Sequence, residues 1–468
     1  MPVDLLAERL DEVLIREVLT AGLSRGGDFA ELYAEHKRGR ALRLEDQRVE
    51  ELTSSLDLGA GIRVIRGGRT AYAYTNVLDR ASLLEAAQVA AAGAQGEVAR
   101  RVDDLTRPDR RVDHPVRIDP FEADKQDLVA LAVRADEAAR DVSGDVRQVI
   151  VTYLDGAADV LIANSEGRLV DDHRTRTRLA TQVVAARDGV IQTGFEGPGA
   201  SAGHEMFDSH RPEDVARAAA RQAVAMLDSR PAPSGEMPVV LWRGDGGVLF
   251  HEACGHGLEA DIVAKEASVY AGRRGEKIGS DLLSGVDDAT VQNGWGSYAF
   301  DDEGTPAQRT ILFDQGTLVD YLSDHRSSRK LDLPVTGNGR RQSYAHLPIP
   351  RMTNSYIVSG DADPDELIAS IDRGVLCKGL GGGQVNPATG DFVFGMTEAY
   401  LVEGGEIRYA VRGANLVGNG PETLRRIDAV GTDFAQRQGI CGKDGQGVPV
   451  AFGTPTLRIA RITVGGTA

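Results

Sequence analysis

The sequence predicts an α+β protein of two domains, an N-terminal mixed antiparallel sheet with helices followed by a strand-rich, curved or barrel-like C-terminal domain. Three observations carry this. The 468 residues exceed what one core of ordinary size organises. Helical and strand-like runs in the first half follow one another without regular β–α alternation, which argues for α+β. The second half is rich in glycine and in short hairpin signals such as LVEGGEIRYAV and ILFDQGTLVDYL, which suits a sheet that bends on itself. RPAPSGEMP at 230–238 holds three prolines, a glycine and a serine in nine residues and reads as the linker. The expected domains are therefore 1–230 and 231–468.

Each element follows from its pattern. Leu5, Leu6, Leu10, Val13, Leu14 and Val18 recur at helical spacing, predicting a first helix over about residues 3–22. FAELYAEH, RALRLEDQRVEELTSS and GIRVIRGGRTAYAYT read as strands, the last as a hairpin turning at Gly67-Gly68. An Ala-rich helix is expected near 80–98, a charged connector over 100–120 and another helix over 122–141. VIVTYLD, ADVLIAN and RLATQVVAARDG read as further strands, and PEDVARAAARQAVAML as a helix with Pro in its first turn. Short helices are expected near 245–259, 364–373 and 421–430.

Composition narrows the function. The formal net charge of −17, from 53 basic and 70 acidic residues, argues against a nucleic-acid partner, whose phosphates need Lys and Arg. RPDRR at 107–111 reads as a solvated connector. No apolar stretch is long enough for a membrane helix. The acidic, amphipathic N-terminus lacks the features of a secretory signal, so the expected location is the cytoplasm. Cys254, Cys377 and Cys441 are too few for a disulfide framework in a chain of this size.

The chemistry concentrates in VVLWRGDGGVLFHEACGHGLEAD. Two imidazoles, His251 and His256, can anchor a cation, and Glu252 beside them can accept a proton from a water that the cation activates. The usual spacing in such a motif is four residues, about 40° apart around a regular helix; five residues open this to roughly 140°. Both rings reach one ion only if the turn widens, as in a π-bulge, or if the helix breaks at Gly255. A hydrolytic zinc site needs a third protein ligand and an open position. Glu259, Asp261, Cys254 and the distant Cys441 all qualify. Packing as a small apolar residue suits Cys254 better, and Lys443 near Cys441 favours a thiolate there.

These residues resemble the TldD branch of the TldD/PmbA (TldD/TldE) family of zinc metallopeptidases. The similarity rests on FHEACGHGLEAD, DDEGTPAQRTILFDQGTLVDYL, TGNGRRQSYAHLPIPRMTN, GLGGGQVNPATGDFVFGMTEAYLVEGGEI and GICGKDGQGVPVAFGTPTLRI, with GAGIRVIRGGRTAYAYTN a weaker landmark in the first half. The resemblance implies zinc held by His251, His256 and Cys441, with Glu252 catalytic. It implies a peptidase of unfolded or short peptides, acting in peptide maturation or small-protein degradation. It also implies a dimer, as a heterodimer with a metal-free PmbA/TldE-type paralogue.

The remaining landmarks are weighed on chemistry. GLGGGQVNPATGDF lacks the Lys-Ser/Thr of a phosphate loop and reads as tight turns where a substrate chain approaches. His325, Tyr344 and His346 are candidate oxyanion partners, and Arg340, Arg341 and Arg351 candidates for a substrate carboxylate. Cys377 reads as a buried strand thiol. The rival functions are a zinc hydrolase of another amide bond and a non-catalytic, zinc-stabilised subunit; the carboxylate of Glu252 speaks against the second.

Overall fold

The computed structural model describes residues 5–94, 96–97 and 101–466. It is a mixed α+β structure with a five-stranded barrel in its C-terminal region, as the sequence predicts. Parts of the expected helices over 3–22 and 80–98, at 3–4 and at 95 and 98, lie outside the described residues.

The N-terminal sheet is antiparallel. Its strands are β1 (Phe29–Glu45), β2 (Arg48–Arg66), β3 (Arg69–Thr75), β4 (Val146–Asn164), β5 (Leu169–Arg187) and β6 (Val190–Glu196), in the order β3-β2-β1-β4-β5-β6. The run RALRLEDQRVEELTSS is two strands, not one. Asp46 and Gln47 adopt φ of 47° and 65° and turn the chain between β1 and β2 without a glycine. Gly67 and Gly68, with φ of 50° and 80°, make the expected turn into β3.

Helices cover one face of this sheet. The expected first helix is two, α1 (Leu5–Arg9) and α2 (Glu12–Leu23), because the Asp11 side chain accepts from the Leu14 N–H at 2.8 Å and starts a new helix. α2 and α3 (Arg80–Ala92) bury Val18, Leu19 and Leu83 against Leu32 and Ile62. α4 (Lys125–Arg140) and α5 (Pro212–Ala225) bury Leu128 and Val215 against Val149, Tyr153 and Val183. The other face of β1 meets the C-terminal half: Tyr33 packs with Ala299 and Phe300. Alternation along the strand puts Glu31 on that same face. There it joins buried ion pairs, Arg63–Glu31 and Arg63–Glu303 at 2.7 Å and Arg341–Glu31 at 2.6 Å.

In the C-terminal half, five strands close into the barrel: Gly235–Leu241, Arg373–Val385, Asp391–Glu403, Asn415–Asn419 and Gln446–Gly465. Most of the expected linker is therefore sheet. Arg230–Pro231 pairs with Glu406–Arg412, and the barrel's first strand starts at Gly235. Pro238, which cannot donate to a ladder, sits where the pairing with Gln446–Gly465 shifts register. Ile427–Lys443 pairs with Gln446–Gly465 in a long hairpin turning at Asp444-Gly445. Among the described residues no helix is long and apolar enough to cross a membrane.

Candidate metal centre

Strand Gly235–Leu241 leads into a helical segment, Gly247–Leu258, seated against the barrel. An alanine at Gly247 would place Cβ 2.5 Å from the backbone nitrogen of Gly453, so only glycine permits this approach. The segment begins α-helical at Gly247–Phe250, widens to a π-turn over His251–Gly255, then tightens over His256–Leu258. In the widened turn the His256 N–H donates to the His251 carbonyl, five residues back. Residues five apart then stand on one side, and the two rings lie 5.0 Å apart, nearly perpendicular. Gly255 has an ordinary helical φ of −53°, so backbone freedom is not its purpose. A Cβ there would lie 2.0 Å from Sδ of Met352, which packs against the bare backbone.

Cys441 arrives on Ile427–Lys443, two residues before Lys443 at the hairpin tip. Its Sγ lies 3.3 Å from Nε2 of His251 and 3.3 Å from Nε2 of His256. The three ligand atoms all fall within 4.8 Å of one another. Donors about 2.0–2.3 Å from a tetrahedral zinc stand roughly 3.3–3.8 Å apart, so the cluster fits such an ion. The donor chemistry fits as well. Burial alone would raise the Cys441 thiol, but hydrogen bonds and charge from His251 and His256 outweigh it and bring it down to about 5. A thiolate is the form that binds metal. Nδ1 of His256 points away from the sulfur, toward Oε2 of Glu259 at 3.1 Å.

Glu252 lies at the rim of this cluster, its side chain 30% exposed and Oε2 3.8 Å from Nε2 of His256. It shares a hollow of about 490 Å³ with the two histidines and Cys441. One wall is Leu380–Gly383, the other Gly439–Gly442. The glycine-rich part of this segment is thus an extended strand with register shifts, and the tight turn expected in it follows at 386–390, where the Gly390 N–H donates to the Asn386 carbonyl at 2.7 Å. An adjoining hollow of about 450 Å³ shares Val248, Leu380, Gly381 and Phe452 with the first. It adds Glu196, Asp245, Lys378, Glu398 and Arg437, which sequence reasoning did not single out because they come from separate elements.

The other sequence candidates lie elsewhere. Asp261 pairs with Lys443 at 2.6 Å, and Glu259 meets His256 on its far nitrogen, so neither carboxylate joins the three-atom cluster. Cys254 is fully buried, and burial pushes its thiol up to about 12. Cys377 is a buried strand thiol, as expected. His325 stacks on Phe29 at 4.0 Å, and Tyr344 donates to Asp57. His346 pairs with Ser343. None of these three lines the hollow around Glu252. Arg341 is consumed by Glu31, while Arg340 and Arg351 donate to backbone carbonyls in the interior.

Comparison with known proteins agrees with this fold. Family profiles described as PmbA/TldA metallopeptidase domain 1, central domain and C-terminal domain match residues 30–94, 118–227 and 234–466. A "Metalloprotease TldD homolog" of Haemophilus influenzae is 38% identical over 455 residues, covering 95% of this chain and 94% of that protein. A "Metalloprotease" of Methanothermobacter thermautotrophicus is 34% identical, covering 94% and 96%. A "Zinc metalloprotease TldD homolog" of Saccharolobus solfataricus is 30% identical over 69% of this chain and 72% of its own. The solved structure of TldE from Thermococcus kodakarensis shares the fold, with a TM-score of 0.80 at 20% identity over 97% of this chain and 100% of that one. The chain belongs to the PmbA/TldD family of metallopeptidases, on its TldD branch.

Proposed function

We propose that this chain is a zinc-dependent peptidase that hydrolyses unfolded or short peptides, with His251, His256 and Cys441 as ligands and Glu252 as general base. The observation that carries the reading is the meeting of the three donor atoms beside a carboxylate that opens on a hollow. Zinc bound there would polarise a peptide carbonyl and make a water acidic enough to attack near neutral pH. Glu252 takes the water's proton and returns it to the leaving amine. To a bound metal, His251 and His256 would offer their Nε2 lone pairs, and the half-open rim leaves room for water and substrate.

The walls of the hollow favour a peptide over another amide. Leu380–Val385 pairs only with Asp391–Glu403, and Gly439–Lys443 only with the start of Gln446–Gly465, among the described residues. Leu380–Val385 keeps its other edge free of strand partners beside the site, whereas on the opposite wall the Gly439 and Cys441 carbonyls accept from Trp295 Nε1 at 2.9 Å and Arg351 Nη2 at 2.5 Å. An extended chain can join such an edge through main-chain hydrogen bonds whatever its side chains are. The proposal extends to peptide maturation or small-protein degradation in the cytoplasm, and to a heterodimer with a metal-free PmbA/TldE-type partner. Metal analysis combined with mass spectrometry of peptide cleavage, with and without chelator, tests the core of it. A metal-replete protein that cleaves no peptide would leave the amidase and the non-catalytic subunit as the surviving readings.

A further inference from the structure

We infer that Glu259 is a positioning residue for the metal centre, fixing the orientation of His256 and clasping the histidine-bearing segment to the strand that carries Cys441. This rests on the reading of His251, His256 and Cys441 as ligands. It concerns how two parts of the chain, 185 residues apart between His256 and Cys441, are held in register.

Glu259 is fully buried, three residues after His256. A buried carboxylate is costly unless it is paired and hydrogen-bonded on all sides, so its contacts indicate what it is for. Oε2 meets Nδ1 of His256 at 3.1 Å and Nζ of Lys443 at 3.0 Å. Oε1 faces Nε of Arg351 at 3.8 Å, an attraction of charge without a hydrogen bond. Both cations belong to the Cys441 side. Lys443 lies two residues beyond Cys441 on the same strand and so projects to the same face. Arg351, itself fully buried, donates from Nη2 to the Cys441 carbonyl at 2.5 Å and from Nη1 to that of Gln446 at 3.3 Å. Lys443 is further fixed by Asp261 at 2.6 Å and the Pro350 carbonyl at 3.2 Å.

One carboxylate therefore touches one imidazole and both cations that hold the opposite strand. The Glu259 carboxylate accepts from Nδ1–H of His256, so Nε2, which faces Sγ of Cys441, is the nitrogen that would offer its lone pair to a metal. Lys443 and Arg351 prevent the Glu259 carboxylate from turning toward the metal position itself. The result is a polar clasp behind the ligands, made of two carboxylates and two cations, that brings Cys441 up to the histidines.

The test uses the full chain and zinc alone as probe, with affinity read by competition against a chromogenic chelator. Glu259→Gln keeps shape but weakens the acceptor. It should bind zinc about 10–100-fold more weakly, the usual loss when the partner of a ligating histidine is removed. At saturating zinc its KM should be unchanged and its kcat within about tenfold, since Glu252 and the ligands remain. Because this variant strands two buried cations, Glu259→Gln/Lys443→Met removes charge in a pair, and it should fold with the same weakened affinity. Asp208→Asn removes an exposed carboxylate paired with Arg117 in the N-terminal half, outside the clasp, and should bind zinc within about threefold of the unchanged chain. A double variant that binds zinc within twofold of the unchanged chain overturns the clasp. An unchanged chain that binds no zinc, or a Cys441→Ala variant with full zinc, instead overturns the ligand reading beneath it.

Discussion

The N–H of His256 donates to the carbonyl of His251, and this one five-residue hydrogen bond reconciles the motif's spacing with a single metal position. On a regular helix the two side chains would diverge by roughly 140°. Widening by one residue removes that divergence, and Met352, packed against Gly255, leaves no room for a side chain at the end of the widened turn. The arrangement separates roles along a short stretch. Residues 251 and 256 face Cys441, residue 252 faces the hollow, and residue 259 backs the second imidazole.

Replacing Cys441 tests the ligand set most directly. Cys441→Ala removes one of three donors, and with it the only soft one. The variant should lose most of its bound zinc while keeping its fold, as read by elemental analysis beside circular dichroism. Full zinc in the folded variant would show that another side chain completes the site.

Glu252→Ala should do the opposite. The side chain is at the rim and contributes no atom to the three-atom cluster, so zinc content should hold. Peptide hydrolysis should fall by about two to four orders of magnitude, the scale of general-base catalysis. Turnover near the original rate in a zinc-replete variant would take Glu252 out of the mechanism.

The legibility of this site in the sequence was uneven, for physical reasons. The distortion over His251–Gly255 was readable because helical geometry forbids the alternative. The role of Gly255 was not, because the group that demands it, Met352, is almost a hundred residues away and its approach is a tertiary fact. Cys441 was one of four possibilities, and the distant one, until the family resemblance singled it out, since nothing within its own strand points to His251. The barrel class followed from short strands and glycines. The turn at Asp46-Gln47 escaped because residues other than glycine rarely take positive φ. The strand pairing inside the proline-rich stretch was not legible, because Arg230–Pro231 is a short edge strand and Pro238 sits at a register shift, two places where a sheet tolerates a missing N–H.

His325 gives a pH prediction away from the metal. Burial, then the charges of Arg63 and Arg329, hold its imidazole down to about 4, and its Nε2 is buried without a hydrogen-bond partner. Unfolding frees it to titrate near 6.5. Between those values the unfolded chain binds more protons, so this residue's contribution to stability is present above about pH 6.5 and is lost as pH falls toward 4. His325→Phe keeps the stack on Phe29 and removes the titration. In urea melts the variant should gain on the original protein by on the order of 2 kcal/mol between pH 7 and pH 4.5. An equal offset at both pH values would mean that His325 titrates normally in the fold.

The partner proposal predicts that light scattering on protein purified from its native host finds a dimer, with a second, similar chain lacking the HEACGH motif. A fully active monomer would refute it.

Substrate form is the last prediction. Leu380–Val385 presents a strand edge without a strand partner along one wall of the hollow that holds Glu252. A chain that joins it must be extended over several residues, because edge pairing uses consecutive main-chain groups. Such pairing ignores side chains, so short or disordered peptides should be cut at many sequences. A folded domain cannot supply a free strand without unfolding locally, and its cleavage should track how often it opens. An open-cleft endopeptidase would instead nick exposed loops of native proteins. Incubating the enzyme with one disulfide-bonded protein, native in one arm and reduced and alkylated in the other, separates the two. Cleavage should be confined to the unfolded arm, at several sites. Equal nicking of native loops would remove strand addition while leaving the roles of His251, His256, Cys441 and Glu252 as they stand.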